Sequence, residues 1–178
     1  MAQQIADKKP KTVIEIGTAY GETFWLLCQI CPDDATLISV DMPNGAFGGG
    51  YTEKDIPRLK AFAKKDQTIH CILGDSHLEE TKSKISEQVK GGIDVLIIDG
   101  DHSYEGVKKD FEMYSPLVNQ DGLIFFHDIV FHPFNPSCEV NLFWRQIKQQ
   151  YDIEEFVDQN EIHWGGIGMM RWQGSHNE

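Results

Sequence analysis

The feature that most constrains the fold of this chain is a series of five short runs of apolar and β-branched residues. Each run is nearly continuous, and each ends at or near an acidic residue. Runs of this kind are typical of strands that are buried on both faces of a parallel sheet. The stretches between them have helical periodicity, so the chain is predicted to alternate between strands and helices. The five predicted strands are residues 13–16, 36–40, 68–73, 93–98 and 122–126.

Two later runs, residues 153–157 and 167–172, predict a closing hairpin. The connection between them is too short for a crossover helix, so we expect the two strands to pair antiparallel. Two apolar stripes at helical spacing predict helices, the first (Val107, Phe111, Tyr114, Val118) ending near residues 119–122 and the second comprising Val140, Phe143, Ile147 and Tyr151. The expected fold is a Rossmann-like α/β domain over residues 1–178, with a doubly wound, mostly parallel seven-stranded sheet and a C-terminal antiparallel hairpin.

Charge and hydropathy exclude several classes of partner. The 178 residues carry a formal net charge of −12, which disfavours binding to the phosphates of nucleic acids or to anionic membranes. No apolar run approaches the roughly 20 residues of a membrane helix, and the polar start lacks the apolar segment of a signal peptide. We therefore expect a cytoplasmic protein that binds neither nucleic acid nor membrane.

The acidic residues lie where a ligand of such a sheet would bind. Glu15, Asp41, Asp75, Asp99 and Asp128 each lie at the carboxyl end of a predicted parallel strand. In open parallel sheets the ligand binds beyond these ends, at the point where the strand order reverses. Packing alone does not require an acidic residue at each of the five ends. We therefore expect a ligand site at this edge.

The first turn argues against a phosphate ligand. Gly17 and Gly21 form a Gly-x-x-x-Gly spacing, whereas a dinucleotide fingerprint is Gly-x-Gly-x-x-Gly. Glu15 would place a carboxylate near a phosphate, so the turn suits a cationic ligand better. A plain strand-to-helix turn that needs glycine for tightness is the alternative.

The second and third strand ends suggest nucleoside contacts. Asp41 follows Gly17 by 24 residues, the expected position of an acid that binds ribose hydroxyls. Asp75 or Ser76 could contact an adenine edge or cap the following helix, and capping is at least as good an interpretation for Ser76.

Taken together, these residues resemble the class I S-adenosylmethionine-dependent methyltransferases. The chain is most similar to the branch that groups small-molecule O-methyltransferases with cephalosporin-hydroxylase-like proteins, through residues 97–105 and 122–129. The resemblance implies that Glu15 faces the positively charged methionine end, that Gly17 and Gly21 line the cofactor, that Thr23 helps hold its carboxylate and that Asp41 binds ribose. The cofactor-binding residues expected on this basis are Glu15, Gly17, Thr18, Gly21, Thr23, Asp41, Met42, Asp75, Ser76 and Asp99.

The resemblance also implies a catalytic end of the site. In metal-dependent relatives, acids at the fourth and fifth strand ends hold Mg²⁺, which lowers the pKa of the oxygen to be methylated. The corresponding metal residues here are Asp99, His127 and Asp128, and His102 could act as the base. Without a metal, the catalytic base would be His102 or His127. His127 departs from the usual acid, and imidazole suits Mn²⁺, Fe²⁺ or Zn²⁺ better than Mg²⁺. Alternatively, Asp99 serves only the cofactor, and His102 and His127 form ordinary hydrogen bonds.

Three other segments admit more than one interpretation. Residues 42–52 contain three consecutive glycines with Phe47 and Tyr51, and could form a lid over the substrate or a loose surface loop. Residues 132–136 could form another wall of the pocket or a plain connection. Cys28 and Cys31 lie in an apolar helical stretch and are expected to be buried thiols rather than metal or redox groups.

The sequence therefore predicts methyl transfer from S-adenosylmethionine to an oxygen of a small-molecule acceptor, with or without a divalent cation such as Mg²⁺ or Mn²⁺. A homodimer is compatible with this function. The alternatives are a cofactor-binding subunit without catalysis and, less favoured by the glycine spacing and Glu15, an NAD-dependent oxidoreductase.

Overall fold

A computed structural model describes residues 1–47, 49–158 and 165–174 of the chain. Its seven strands form one sheet in the order β3-β2-β1-β4-β5-β7-β6. The first five pair parallel, and β7 pairs antiparallel with both β5 and β6. The strands are β1 (Thr12–Ile16), β2 (Thr36–Asp41), β3 (Thr68–Leu73), β4 (Ile93–Ile98), β5 (Val118–His127), β6 (Asp152–Phe156) and β7 (Ile167–Arg171). The predicted seven-stranded sheet and its antiparallel hairpin are confirmed.

Six α-helices cover the two faces of the sheet. They are α1 (Ala2–Lys8), α2 (Glu22–Ile30), α3 (Ile56–Lys60), α4 (Glu79–Gln88), α5 (Tyr104–Tyr114) and α6 (Val140–Ile147). Apolar residues of α1, α2 and α3 belong to one core cluster, and those of α4, α5 and α6 belong to the other. Within the described residues, no helix combines the length and the apolar composition needed to cross a bilayer.

The alternation of side chains in β1 explains why the sheet needs helices on both faces. Val13 joins the cluster on the α1–α3 side, while Ile14 and Ile16 join the cluster on the α4–α6 side. Successive strand residues point to opposite faces, so a strand with apolar residues on both faces can be buried only between two layers. The strand order reverses between β1 and β4, which are neighbours, and this opens a crevice at their carboxyl ends.

The end of α5 differs from the predicted boundary. The apolar stripe suggested a helix that includes Val118, but α5 ends at Tyr114 and a 3₁₀ turn over Ser115–Leu117 follows it. Pro116 lies in this turn, where a proline cannot continue an α-helix. Val118 instead begins β5 opposite Ile93, with a shift of register before the next pair. Similarly, Tyr151 lies beyond α6 and its following 3₁₀ turn, Lys148–Gln150, rather than in the helix.

Candidate active site

A cleft of about 300 Å³ lies at the carboxyl ends of β1 to β5. Backbone hydrogen bonds hold the adjacent strand ends together at the cleft. Gly17 N donates to Val40 O at 2.9 Å, and Asp99 N donates to Ile16 O at 2.8 Å. The cleft wall includes these predicted site residues: Gly17, Asp41, Met42, Asp75, Ser76, Asp99, His102 and His127.

Gly17 is the residue that brings β1 and β4 together at this wall. Its φ is +89°, and a Cβ added there would lie 2.0 Å from the carbonyl oxygen of Asp99. Both the backbone conformation and the available space therefore require glycine. The closest neighbour is the backbone of the β4 end, and the predicted approach of Gly17 to the cofactor stays a prediction.

Asp41 is held in place by the backbone around it. Its carboxylate accepts hydrogen bonds from Ala19 N at 2.5 Å and from Met42 N at 2.7 Å. Burial nevertheless raises the pKa of Asp41 above its usual value. A Cβ on Gly50 would come within 2.7 Å of the same carboxylate, so the loop after β2 packs closely against it. The carboxylate is thus fixed on the wall of the cleft, where a ligand hydroxyl can reach it.

The charge of the wall is one-sided. Among the described residues that line the cleft, four are aspartates (Asp41, Asp75, Asp99 and Asp101), and none is Lys or Arg. Three histidines also line the cleft, and two of them, His102 and His127, are paired with Asp99 and Asp128. The remaining carboxylates would stabilise a sulfonium or ammonium group and would repel a phosphate. The cleft therefore fits S-adenosylmethionine, whose charged end is cationic, better than it fits a dinucleotide.

Four predicted cofactor residues do not line the cleft. Gly21 and Thr23 lie at the start of α2, and Thr18 is buried with its hydroxyl 2.8 Å from that of Ser39. Glu15 lies inside β1, where it is only 1% exposed. Burial raises the pKa of Glu15 to about 8, against a hydrogen bond from Thr18. Gly21 lines a separate pocket beside Tyr20 and Arg58, and the cofactor contacts of all four residues remain predictions.

The β3 end has a partner that the sequence did not indicate. Asp75 accepts a hydrogen bond from His77 N at 2.8 Å. In the His77 side chain, Nε2 lies 3.3 Å from Oδ1 of Asp110, a residue that is fully buried in α5. The hydrogen bond to Asp110 raises the pKa of His77, against burial. Helical spacing places Asp110 on the same face as Val107 and Tyr114, which is a signal that it is buried, but only the spatial contact between distant segments reveals its pairing with His77.

Ser76 does not cap the next helix. The first residue of α4 is Glu79 and its N-cap is Leu78, with no side-chain capping hydrogen bond. The carbonyl of Ser76 instead accepts a hydrogen bond from the hydroxyl of Tyr114 at 2.6 Å. This bond fixes the loop after β3 against α5 and leaves Ser76 on the cleft wall.

Two aspartates and two histidines meet where β4 and β5 end. His102 lies between Asp99 and Asp128, with Nε2 3.3 Å from Asp99 Oδ1 and Nδ1 3.1 Å from Asp128 Oδ2. His127 Nδ1 lies 3.1 Å from Asp99 Oδ1 and 3.3 Å from Asp128 Oδ1. The structure brings these four residues together, and the cation that the sequence analysis assigned to Asp99, His127 and Asp128 stays a prediction.

The two aspartates and the two histidines stabilise each other's charged forms. Pairing with Asp128 and Asp99 raises the pKa of His127 to about 10. Burial lowers the pKa of His102, but its hydrogen bonds to the same carboxylates outweigh burial and raise the value to about 12. The pKa values of Asp99 and Asp128 fall below their usual range despite burial, because both histidines donate to them. At neutral pH both imidazoles are therefore protonated in this arrangement, and neither can accept a proton until a carboxylate is engaged elsewhere.

Cys138 adds a sulfur donor to the group. Its thiol lies 3.7 Å from Asp128 Oδ2 and 4.0 Å from His102 Nδ1. In the part of the chain that the structure describes, His102, Asp128 and Cys138 form the group whose donor atoms lie close enough together to hold a metal ion. Of the predicted metal residues Asp99, His127 and Asp128, this group contains Asp128 only. Imidazole and thiolate donors suit Zn²⁺ or Fe²⁺ and do not fit Mg²⁺, which prefers oxygen.

The glycine-rich loop lies against the cleft. Gly45, Ala46, Phe47, Gly49 and Gly50 all line it. The ring of Phe47 stacks on that of His102, with 5.1 Å between centroids and 12° between planes. Tyr51 anchors the end of the loop, since its buried hydroxyl lies 3.1 Å from that of Ser39. None of residues 132–136 is among the described residues that line the cleft, and the segment instead leads to Cys138.

The burial predicted for Cys28 and Cys31 is observed. Cys28 and Cys31 are free and buried, and burial raises the pKa of each thiol to about 12. Thiols in this state are poor nucleophiles and poor metal ligands. They are packing residues of the core on the α1–α3 side.

Comparison with known sequences identifies a family. A profile of the family described as a methyltransferase domain matches residues 14–129, from β1 to just beyond β5. An uncharacterised protein of Sinorhizobium fredii is 27% identical over 170 residues, covering 92% of this chain and 17% of that protein. An uncharacterised protein of Acanthamoeba polyphaga mimivirus is 31% identical over 131 residues, covering 74% of this chain and 57% of that protein. The chain thus spans less than two thirds of the length of either relative.

Solved structures share the fold. The O-methyltransferase TomG from Streptomyces achromogenes, in complex with S-adenosylmethionine, superposes with a TM-score of 0.71 at 14% identity, covering 97% of this chain and 78% of TomG. An O-methyltransferase from Bacillus cereus in complex with S-adenosylhomocysteine gives a TM-score of 0.67 at 15% identity, covering 96% and 78%. At these identities the likeness establishes a common fold.

Proposed function

Because this chain belongs to the methyltransferase-domain family, we propose that it transfers the methyl group of S-adenosylmethionine to an oxygen atom of a small-molecule acceptor. The observation that carries the proposal is the cleft at the strand ends, which is lined by four aspartates and opens onto the histidine and aspartate group. The NAD-dependent alternative is less favoured, because four carboxylates line the cleft and the Gly17 and Gly21 spacing departs from the dinucleotide fingerprint.

We propose that the cofactor lies along the strand ends with its adenine at β3 and its methionine end at β1 and β4. Asp41, fixed by two backbone amides, would accept hydrogen bonds from the ribose hydroxyls. Asp75 and Ser76 at the β3 end would meet the adenine. Gly17, Glu15 and Asp99 would surround the cationic methionine end, with Thr18, Gly21, Thr23 and Met42 as the further predicted contacts. This orientation puts the reactive sulfur near the ends of β1 and β4.

The reacting end is proposed to be at Asp99 and His127. When bound, S-adenosylmethionine supplies the methyl group, whose bond to sulfur breaks as an electron pair of the acceptor oxygen forms the new C–O bond, leaving S-adenosylhomocysteine. The His127 side chain is 39% exposed at the cleft, whereas Phe47 covers the ring of His102. We therefore assign the acceptor oxygen to His127. As a protonated imidazole, it would donate a hydrogen bond that stabilises the acceptor as an anion.

The proton of the acceptor hydroxyl needs a separate route. In the paired state both histidines are protonated, so His102 or His127 becomes a base only when the charge of Asp99 or Asp128 is offset. A divalent cation would provide that offset and would also lower the pKa of the acceptor hydroxyl. Cation assistance through Asp99, His127 or Asp128 is therefore part of the proposal.

Two measurements test the proposed function. Calorimetry should give micromolar to sub-millimolar dissociation constants for S-adenosylmethionine and S-adenosylhomocysteine, and no response to NAD⁺. Mass spectrometry should then detect a gain of one methyl group on phenolic, sugar or hydroxy-acid acceptors, with loss of turnover in His127→Ala but retained binding of S-adenosylhomocysteine. Binding of NAD⁺ with no response to either adenosyl ligand would refute the proposal. Cofactor binding without turnover on any acceptor would favour a non-catalytic subunit.

A further inference from the structure

We propose that His102 Nδ1, Asp128 Oδ2 and Cys138 Sγ form a binding site for a thiophilic divalent ion such as Zn²⁺, with Asp99 as the residue that orients His102. This inference deepens the proposed function, on which it rests for the role of the ion. It departs from the sequence-based prediction by adding Cys138 and His102 as ligands and by moving Asp99 behind them.

The separations of the three donor atoms match a tetrahedral zinc site. With Zn–N and Zn–O bonds of about 2.0–2.1 Å and Zn–S bonds of about 2.3 Å, tetrahedral geometry puts N and O about 3.4 Å apart and S about 3.6 Å from each. The observed separations are 3.1 Å between His102 and Asp128, 3.7 Å between Cys138 and Asp128, and 4.0 Å between Cys138 and His102. Movements of a few tenths of an ångström would complete the triangle.

The second nitrogen of His102 has the partner expected of a metal ligand. Histidines that bind a metal usually donate their other ring N–H to a carboxylate or a carbonyl, which fixes the tautomer. Here Nε2 of His102 lies 3.3 Å from Asp99 Oδ1 and 3.4 Å from the Asp99 carbonyl. That contact leaves Nδ1 facing Asp128 and Cys138, where an ion would bind it by displacing its proton.

Burying the polar atoms of this group costs free energy unless a ligand binds to them. Cys138 is 3% exposed and Asp128 is 7% exposed. Asp128 Oδ1 is buried without a well-aligned hydrogen bond, and the thiol contact to Oδ2 is long. Buried carboxylates are normally fully hydrogen-bonded or bound to a metal. Asp128 also has a φ of +59°, a conformation that a residue other than glycine adopts at a cost.

The segment that carries Cys138 is held to the β4 end by its neighbour. Glu139 N donates to the carbonyl of His102 at 2.7 Å, and Glu139 Oε2 accepts from Tyr104 N at 3.1 Å. These bonds fix Cys138 relative to His102 from outside the group. The three donors are therefore positioned before any ion binds, and three protein ligands leave a fourth position for water or an acceptor oxygen.

Cobalt binding tests the site with a readout that does not depend on activity. The full chain is freed of metal with a chelator and titrated with Co²⁺, which gives a near-ultraviolet charge-transfer band when a thiolate is bound. We expect the band in the wild type and in Cys31→Ser, a control with an equally buried thiol outside the group, and its loss in Cys138→Ser. Zn²⁺ should displace Co²⁺ and Mg²⁺ should not. Asp99→Asn should keep the band but weaken Zn²⁺ binding by about 10–100-fold.

Absence of the band in the wild type, or its persistence in Cys138→Ser, would overturn the inference. Should Cys138→Ser fail to fold by circular dichroism, alkylation of wild-type Cys138 followed by peptide mass spectrometry takes its place. Zn²⁺ should slow that reaction at least tenfold, and an unchanged rate would overturn the inference. Calorimetry with S-adenosylhomocysteine on the same samples keeps the two proposals apart, because loss of cofactor binding with an intact cobalt band counts only against the proposed function.

Discussion

At the scale of single residues, the ionisation of Glu15 should depend on whether a cationic ligand is bound. It is buried inside β1, and burial raises its pKa to about 8. Its acidic neighbours Asp99, Asp41 and Glu22 raise the value further. A large fraction of Glu15 is therefore neutral at pH 7. A cationic ligand nearby would favour the ionised form and release the proton.

The first prediction concerns this proton. Near pH 7, binding of S-adenosylmethionine should release a substantial fraction of one proton from Glu15, and Glu15→Gln should abolish the release. The measurement is calorimetry in two buffers of different ionisation enthalpy, whose difference gives the number of protons exchanged. Equal proton release by the wild type and Glu15→Gln would show that Glu15 does not face the cationic end.

The second prediction follows from the same pKa in the ligand-free protein. Because the folded pKa of Glu15 is above the unfolded value of 4.5, the folded state binds more protons between pH 4.5 and 8. The contribution of Glu15 to the free energy of unfolding therefore falls as the pH rises through this range. Glu15→Gln should remove that fall and leave the variant more stable than the wild type at pH 8, by urea unfolding. A steeper loss of stability in the variant would contradict the sign.

The third prediction concerns Asp41. Asp41→Ala should weaken binding of S-adenosylhomocysteine by about ten- to a hundredfold, since hydrogen bonds to a charged acceptor contribute about 1.5–3 kcal/mol. Asp34→Ala, at an exposed residue paired with Lys11 away from the cleft, is the control. Calorimetry at fixed salt measures both. An unchanged dissociation constant for Asp41→Ala would mean that the ribose lies elsewhere.

At the scale of elements, the turn from β1 to α2 determines whether the cleft can form. Gly17→Ala would put a Cβ 2.0 Å from the Asp99 carbonyl in a left-handed conformation. We expect cofactor binding to be lost and the free energy of unfolding to fall by about 2 kcal/mol or more. Gly91→Ala is the matched control, because nothing lies within 4 Å of its added Cβ and its φ is not in the left-handed region. Equal stability of the two variants would show that the strand ends can separate at little cost.

The loop that carries Phe47 gives the fifth prediction. Phe47 stacks on His102 and lines the cleft, so Phe47→Ala should speed dissociation of S-adenosylhomocysteine several-fold while changing thermal stability little. Phe134→Ala removes an exposed ring outside the cleft wall and serves as the control. Stopped-flow fluorescence measures the dissociation rate. The same rate in both variants would favour the loop without a lid function.

The elements also show what the sequence could predict. The strands and their acidic ends follow from local apolar runs, and the reversal of strand order follows from the topology of such folds. The boundary of α5 was missed because its apolar stripe continues through Val118 into a strand. The pairing of Asp110 with His77 was missed because it joins distant segments, and Cys138 was missed because it reaches the site through the path of a loop. No periodicity encodes such a path.

At the scale of the whole molecule, ligand binding should be visible as stability. A ligand that binds only the folded state at a hundred times its dissociation constant stabilises it by about 2.7 kcal/mol. For a chain of 178 residues this corresponds to a rise in Tm of about 5–10 °C. S-adenosylhomocysteine should give this rise in a thermal scan and NAD⁺ at the same concentration should not. No rise for S-adenosylhomocysteine, or an equal rise for both, would count against a selective site.

The strand order has a consequence for folding while the protein is being synthesised on the ribosome. The central strand β1 emerges before its partner on one side, β4, which ends at Ile98. Until that residue has left the exit tunnel, the nascent chain holds an apolar strand with one open edge, and the crevice between the two strand ends does not exist. At about 5–20 residues per second, the roughly eighty intervening residues take several seconds to translate. Chaperones that shield exposed apolar strands would have that interval in which to act, and the cofactor could assist only afterwards.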